Sequence, residues 1–592
     1  MPLPYEAPLG MLRAAIDQAA GQLPCQPPGY EDVDGEATGA ILDGIARMAR
    51  DVLSPLNRTG DAAPSQLTAQ GVATPTGFRD AYRRFCADGW PTLCAPTEFG
   101  GQGLPMLLGA AATETWGGAN LAFAMCPEAA TGAIEALRQH ASPTLQERYL
   151  PRIVSGDWTA SMCLTEPQAG SDLSTVRTLA QPDGDGWRLS GRKIFISWGE
   201  HDLCDNIVHL VLARTPGAPA GLKGISLFLV PKRIPGVGPD APLNDITAVS
   251  LEHKMGIRAS PTCVMALGER AGARGWLVGP LHEGVRCLFA MMNHMRIGVG
   301  LHSTGLAERA WQLARAYAAE RRQGHDASGA QRPIIEHADV RRMLLTMKSL
   351  THAARCLAYC AASTLDLTQA DVSQALRERA ERRLSLLTPV VKAWCSDVAV
   401  EVASLGVQVH GGTGYVDDSE ISQVYRDARI GPIFEGTNYI QAQDLLARKV
   451  IRDDGAALGD LLDDIESAAQ RLSSRASSRE AGVRSALAEP LLAECVRLRG
   501  AARDLIGASR KESQLCGCVA YPFLQWLGLV AGAWQWALAV ESIDRSGARE
   551  LGPQLVDCAR FYGAQLLPRA RTYAAQVASG SDVLIGPESA QL

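Results

Sequence analysis

No CxxC pair occurs among the 15 cysteines of this 592-residue chain, and the Cys516-Gly-Cys518 spacing is too tight for ordinary paired zinc ligands. Scattered through apolar helical contexts, as at Cys356, Cys360 and Cys395, they read as small apolar residues of a reduced, cytoplasmic protein. His253, His282, His294 and His410 fit neither HExxH nor a nucleophile arrangement, so they read as solvated or structural and no metal is expected. Ser171 lies in no GxSxG elbow. No strand runs through GxGxxG into a helix, so a dinucleotide bound here cannot use the Rossmann mode. The glycine-rich CAPTEFGGQGLP carries no Gly-Lys-Ser/Thr and is read as a connection between helices.

Surplus positive charge is missing too. A net charge of −6 with mixed signs offers no general attraction to nucleic acid or to an anionic membrane. The amino-terminal MPLPYEAPLGMLRAAIDQ lacks the basic start and apolar core of a signal peptide and is read as mature protein. Residues 513–540 carry no charge at all. Pro522 and the three glutamines Gln514, Gln525 and Gln535 favour a helix buried in a helical domain or subunit interface over a bilayer span.

What is present is length enough for three or four domains. A short amphipathic helix, Leu9 to Leu23, precedes a Pro/Gly-rich connector; then Ile41, Ile45, Met48, Ala49 and Val52 recur at helical spacing. Further helices are expected at 77–88, 105–115, 120–137 and 144–153. From Trp158 the composition shifts toward strands, with candidates at 187–190, 193–197, 207–213, 225–230, 262–266 and 275–278. Their close spacing predicts an antiparallel barrel or sandwich. Long helical patterns then return at 285–317, 338–365, 376–405 and 438–453, predicting a four-helix bundle. Beyond it the polar RLSSRASSREAG leads to helical tracts at 487–506, 523–543 and 554–577. The fold class is therefore α+β, mostly α: an extension (1–35), a helical domain (36–157), a β-barrel domain (158–281), a four-helix bundle (282–453) and an extra helical domain (454–592).

YRDARIGPIFEGTNYIQAQ (425–443) organises the chemistry. Glu435, between Ile433-Phe434 and Gly436, is a carboxylate in apolar company, where its pKa rises toward working pH. Locally the same residues also read as a turn with Thr437 capping a helix. Together with MCLTEPQAGSDLST (162–175), GRKIFISWGEHD (191–202) and QVHGGTGYVDDSEISQVYRDARI (408–430), the segment resembles the acyl-CoA dehydrogenase family over most of residues 30–450. Length, the PYEAPL segment and the carboxyl-terminal extension look closest to the family's large bacterial branch.

The resemblance implies α,β-dehydrogenation of an acyl-CoA to the trans-2-enoyl-CoA, with Glu435 as α-proton base, FAD accepting the hydride at N5, and an electron-transferring flavoprotein as electron acceptor. Candidate substrates are 3-(methylthio)propanoyl-CoA and short or medium straight-chain acyl-CoAs. By the same resemblance Cys163, Leu164, Thr165 and Ser171 lie along the cofactor, and Phe195-Ile196-Ser197 stands where the family has Trp-Ile-Thr. Gln408, Gly411, Gly412 and Thr437 are cofactor contacts, and Ser171, Arg296 and Gly436 substrate contacts. Arg296 matches an arginine behind the base, or is simply paired inside a bundle. Arg321 and Gln323 match a motif that reaches the FAD of a neighbouring subunit, implying a homodimer or higher homo-oligomer, although the motif's phenylalanine is absent. Two rivals stay open: an acyl-CoA oxidase using O₂, and a flavin-containing, DNA-associated stress protein, against which the acidic balance weighs.

Overall fold

Apart from a short hairpin of Gln66–Thr68 with Gly71–Ala73, strands begin where the side-chain pattern changes, at Trp158. A computed structural model describes the chain except residues 1–2, 28, 31–34, 236–240, 326–327, 475–480, 513, 544–549 and 586–592; half of the polar RLSSRASSREAG connector thus lies outside the described residues. The chain divides into two compact units, one of Met1–Ala46, Pro105–Gly118 and Arg296–Leu592, the other of Arg47–Leu104 and Ala119–Met295.

The second unit holds the barrel: β1 (Trp158–Cys163), β2 (Leu179–Asp183), β3 (Gly186–Ser197), β4 (Asn206–Arg214), β5 (Ile225–Pro231), β6 (Ile246–Leu251), β7 (Thr262–Leu267) and β8 (Ala273–Val278). The order is β8-β5-β4-β2-β3-β7-β6, and β8 also pairs with β3, which closes a ring. Most pairings are antiparallel, as expected, but β1 runs parallel to β4, with Trp158 opposite Asn206 and Cys163 opposite Val211. The β2–β3 hairpin lies between them in sequence and supplies the crossover that a parallel pair requires. β1, β2 and β6 are additions to the strands expected from alternation. β4 and β5 are buried on both faces, which is why they read as apolar runs. Leu210, Leu212, Leu227 and Leu229 pack with Ile134, Leu137, Tyr149 and Ile153. The helices expected at 105–115 and 120–137 form one run, Met106–His140, broken at Asn120 (φ −163°, ψ 89°). There the Asn120 side chain accepts from the Phe123 N–H at 3.1 Å and caps the second half, as asparagine does at a helix start.

The first unit is helical: α1 (Leu9–Ala20), α2 (Gly284–Glu320, belonging to this unit from Arg296 onward), α3 (Ala338–Gln369), α4 (Gln374–His410), α5 (Asn438–Gln443) and α6 (Leu515–Ser542). α5 continues through Asp444–Ile451 with wider i+5 turns. Its interior carries a buried charge cluster, in which Arg355 of α3 reaches Glu114 at 2.6 Å and Glu308 of α2 at 2.9 Å. The PYEAPL segment docks against this region. Tyr5 is fully buried, and Arg309, paired with Glu420 at 2.8 Å, donates to the carbonyl of Pro4 at 3.2 Å.

The uncharged stretch is α6, long and apolar enough to cross a membrane by composition, yet mostly buried among the other helices of this unit. Its polar groups have protein partners: Gln18 of α1 donates to the carbonyl of Gln535 at 3.0 Å and to its side-chain oxygen at 2.8 Å, and the Trp536 indole donates to the Ser349 carbonyl at 3.1 Å. Glycines let neighbours close in on it. A Cβ at Gly528 would stand 2.4 Å from Cγ of Trp394.

Arg355→Met would leave the Glu114 and Glu308 carboxylates facing each other without a cation. We expect a loss of about 3–5 kcal/mol in a urea denaturation experiment at neutral pH. The deficit should shrink on acidification, because the unpaired carboxyls then take up protons.

Candidate active site

Glu435 sits in the turn between the helix Glu420–Ala428 and α5, and both Glu435 (φ +55°) and Gly436 (φ +85°) adopt left-handed backbone. For a non-glycine residue this conformation costs roughly 1–2 kcal/mol, so it must be held. The Gln441 side chain donates to the Glu435 carbonyl at 3.0 Å, and the Lys392 ammonium donates to the Gly436 carbonyl at 2.7 Å. Thr437 caps α5, accepting from the Ile440 N–H at 3.4 Å, so its hydroxyl is engaged in helix capping. Glycine at 436 is needed twice: for its positive φ, and because a Cβ there would lie 2.8 Å from the Gln441 amide nitrogen.

Glu435 is recessed but still reaches solvent. Burial raises its pKa to about 6, against the opposing pull of Arg296 and then Lys392. Lys392, fully buried in α4, is pushed down by burial to about 7, while Glu435 and Asp397 favour its charged form and Arg296 opposes it. Burial likewise lowers Arg296, which Asp444 and Glu435 help to keep charged. Behind the loop runs a polar chain. Lys392 also donates to the side-chain oxygen of Asn438 at 2.9 Å; the Asn438 amide reaches the Ala393 carbonyl at 3.0 Å and Asp397 at 2.8 Å; Asp397 in turn accepts from Tyr521 at 3.0 Å and from Gln525 at 2.5 Å. Sequence reasoning missed Lys392, Asn438 and Asp397. A lysine inside Val390-Val391-Lys392-Ala393-Trp394 was the available signal, since a cation in an apolar helical run needs buried partners.

The remaining predicted residues fall into two sets. In the second unit, Cys163 ends β1 with its side chain in the barrel core, as does Ile196 at 2% exposure, so either can offer a ligand only its backbone. Leu164, Thr165 and Ser197 are half-buried and Ser171 is exposed. The Ile194 N–H donates to the Thr165 carbonyl at 2.9 Å, placing Thr165 beside the shift in β3–β7 register where Phe195 stands. Phe195, at φ +59°, leaves its ring 58% exposed, an aromatic face held out at a bulge. The loop is pinned by a buried ion pair missed in the sequence, Glu166 with Lys193 at 2.9 Å. Despite burial, Lys193 and hydrogen-bond donors from Arg177 and Thr178 hold Glu166 down to about 2. These features fit a flavin: an exposed aromatic face beside backbone groups and hydroxyls.

In the first unit, Gln408, Gly411 and Gly412 are exposed at the carboxyl end of α4, and a Cβ at either glycine would meet nothing within 4 Å, leaving an open backbone cradle. Arg321 and Gln323 are also exposed, with the guanidinium donating to the Gln323 side chain at 3.3 Å. His410 stacks on Tyr317 with ring centroids 4.4 Å apart, and His294 pairs with Glu128 at 3.2 Å. Among the described residues no cluster of His, Cys, Asp or Glu is arranged to hold a metal ion. A cavity of about 270 Å³ lies behind the loop, lined by Trp394, Asp397, Pro432, Tyr521, Gln525 and Arg569 among others, but not by Glu435.

Four family models match the chain: acyl-CoA dehydrogenase N-terminal domain at 38–157, middle domain at 161–268, C-terminal domain at 282–450, and acetyl-CoA dehydrogenase C-terminal like at 440–586. The chain is 42% identical to 3-methylmercaptopropionyl-CoA dehydrogenase of Ruegeria pomeroyi over 526 residues, 88% of each chain. To a butyryl-CoA dehydrogenase of Syntrophomonas wolfei it is 37% identical over 435 residues, 71% of each. In fold it resembles an acyl-CoA dehydrogenase complexed with FAD from Bacillus anthracis (TM-score 0.73, 21% identity, 97% of this chain and 92% of that one).

A pH titration of the isotope-edited carboxylate signal, assigned by its loss in Glu435→Gln, should give an apparent pKa for Glu435 near 6. Arg296→Gln removes a cation that favours the anion, so the titration should move upward by about one unit or more. No shift would mean that Arg296 acts elsewhere.

Proposed function

Because the chain belongs to the acyl-CoA dehydrogenase family, whose reaction is α,β-dehydrogenation of acyl-CoA thioesters, we propose that Glu435 is the base that removes the α-proton. One observation carries this assignment: a recessed carboxylate, its pKa raised to about 6 by burial, faced by Arg296 and Lys392 on a clamped left-handed turn. At neutral pH such a group is ionised, yet it is a stronger base than a solvated glutamate. The clamped carbonyls of Glu435 and Gly436 keep the carboxylate from swinging away as it takes the proton.

FAD, when bound, supplies the acceptor for the β-hydride, which no ordinary side chain provides. Thr165, Phe195 and Ser197, with the backbone of Cys163, Leu164 and Ile196, would hold the ring and adjoining phosphates. Gln408, Gly411 and Gly412, along with Arg321 and Gln323, would offer open backbone and polar groups to the phosphate or adenosine of an FAD. The exposure of Arg321 and Gln323 supports a homo-oligomer in which these residues serve a neighbouring copy. An electron-transferring flavoprotein is the electron acceptor in this reading.

An identity of 42% over 88% of both chains supports 3-(methylthio)propanoyl-CoA as substrate, ahead of butyryl-CoA. Anaerobic flavin bleaching across a panel of acyl-CoAs should give that thioester the highest kcat/KM. Preference for a straight-chain acyl-CoA would overturn this choice, and stoichiometric hydrogen peroxide in air would favour the oxidase. Glu435→Gln should retain FAD and acyl-CoA binding while slowing bleaching by about 10²–10⁴-fold.

A further inference from the structure

We infer that the carboxyl-terminal helical domain positions the catalytic loop: Tyr521 and Gln525 of α6 hold Asp397, Asp397 holds Asn438, and together they keep Lys392 seated on the Gly436 carbonyl beside Glu435. The inference rests on Glu435 being the base. It assigns Asp397, Tyr521 and Gln525 as positioning residues and gives the extra domain a function.

Each link is a hydrogen bond, and the Asn438 amide, which also reaches the Ala393 carbonyl and the Ser396 hydroxyl at 3.0 Å each, makes its shortest contact to Asp397. One Asp397 oxygen accepts from the Asn438 amide at 2.8 Å, and the other accepts from Tyr521 at 3.0 Å and Gln525 at 2.5 Å. The donors from α6 are neutral, and Lys392, one turn earlier on α4, favours the charged form of Asp397. Asn438 is the first residue of α5, so its orientation fixes how the loop enters that helix, and its side-chain oxygen is one of two acceptors found for the Lys392 ammonium. A second tie joins the same elements: Tyr439 donates to the Gly517 carbonyl at 3.1 Å and accepts from Gln443 at 2.7 Å.

The charges involved come from every packed element. Lys392 faces Glu435 on the loop, Asp397 on its own helix and Arg296 on α2; Arg296 is in turn influenced by Asp444 and Arg448. Asp397 shares its cavity with Arg429, Glu401 and Arg569, the last two paired at 2.8 Å. Without its α6 donors, an anionic Asp397 is poorly stabilised in this recess and tends toward the neutral acid. Lys392 then loses an anion that favours its charge, and Glu435 loses part of the cationic field that favours ionisation. The acid limb of the reaction must therefore move up.

The experiment uses the full-length, FAD-loaded protein and records the rate of anaerobic flavin bleaching at saturating acyl-CoA from pH 5 to 9. Tyr521→Phe, Gln525→Leu, their combination and Asp397→Asn are compared, with Tyr521→Phe the mildest because it removes a single hydroxyl. We expect the acid limb to shift upward by about one pH unit in the double variant and in Asp397→Asn. That corresponds to about a fivefold deficit at pH 6, approaching tenfold at lower pH and narrowing as pH rises, with KM within about twofold of the parent. Lys392→Met should reproduce the shift and Lys392→Arg should largely restore the profile. An unmoved acid limb in all α6 and Asp397 variants, with any loss equal at every pH, overturns the relay. Full activity in Glu435→Gln would instead overturn the base assignment, and the two failures are thus distinguishable.

Discussion

Two opposing influences on one carboxyl group organise the helical unit. Burial drives the Glu435 proton on; Arg296 of α2 and Lys392 of α4 drive it off. The balance holds only while three elements keep their register, because a cation that moves by a few ångströms in a medium of low effective dielectric changes the interaction by kilocalories. That requirement accounts for the hydrogen bonds spent on the main chain of the loop rather than on the carboxylate. Gln441 and Lys392 fix carbonyls, Thr437 fixes the start of α5, and the acid itself is left open to react.

The long helices were legible in the amino-acid order because their apolar residues recur at helical spacing, and the Thr437 cap was legible because capping is a local affair. The break at Asn120 was likewise visible, since asparagine serves as the cap of the second half. The parallel pairing of β1 with β4 was not, as strand direction depends on a crossover and leaves no mark on the residues themselves. Lys392, Asn438 and Asp397 escaped for a related reason. Lys392 and Asn438 touch through the loop but stand 46 positions apart, so no short motif contains both. Family resemblance pointed to Cys163 and Ile196 as cofactor contacts; the alternation of a barrel strand turns both side chains inward and leaves only their backbone to face a ligand.

α6 shows how composition alone misleads. Its apolar, uncharged length matches a bilayer span, yet Gln18, Glu494 and Ser349 supply partners to Gln535, Trp526 and Trp536 that lipid would not. Gly528 admits the Trp394 indole of α4. The hydrophobicity is that of an element enclosed by other helices of its unit, with Gln525 turned toward Asp397.

The pairing of Gln18 with Gln535 bridges 517 positions. At about 5–20 residues per second, ribosomal synthesis leaves α1 waiting roughly 25 to 100 seconds for the helix that completes its seat. During that interval an amphipathic segment emerges with its apolar stripe uncovered, a form that chaperones bind. Early in biogenesis this protein is therefore a candidate chaperone client, and its amino-terminal helix is among the last pieces to lock into place.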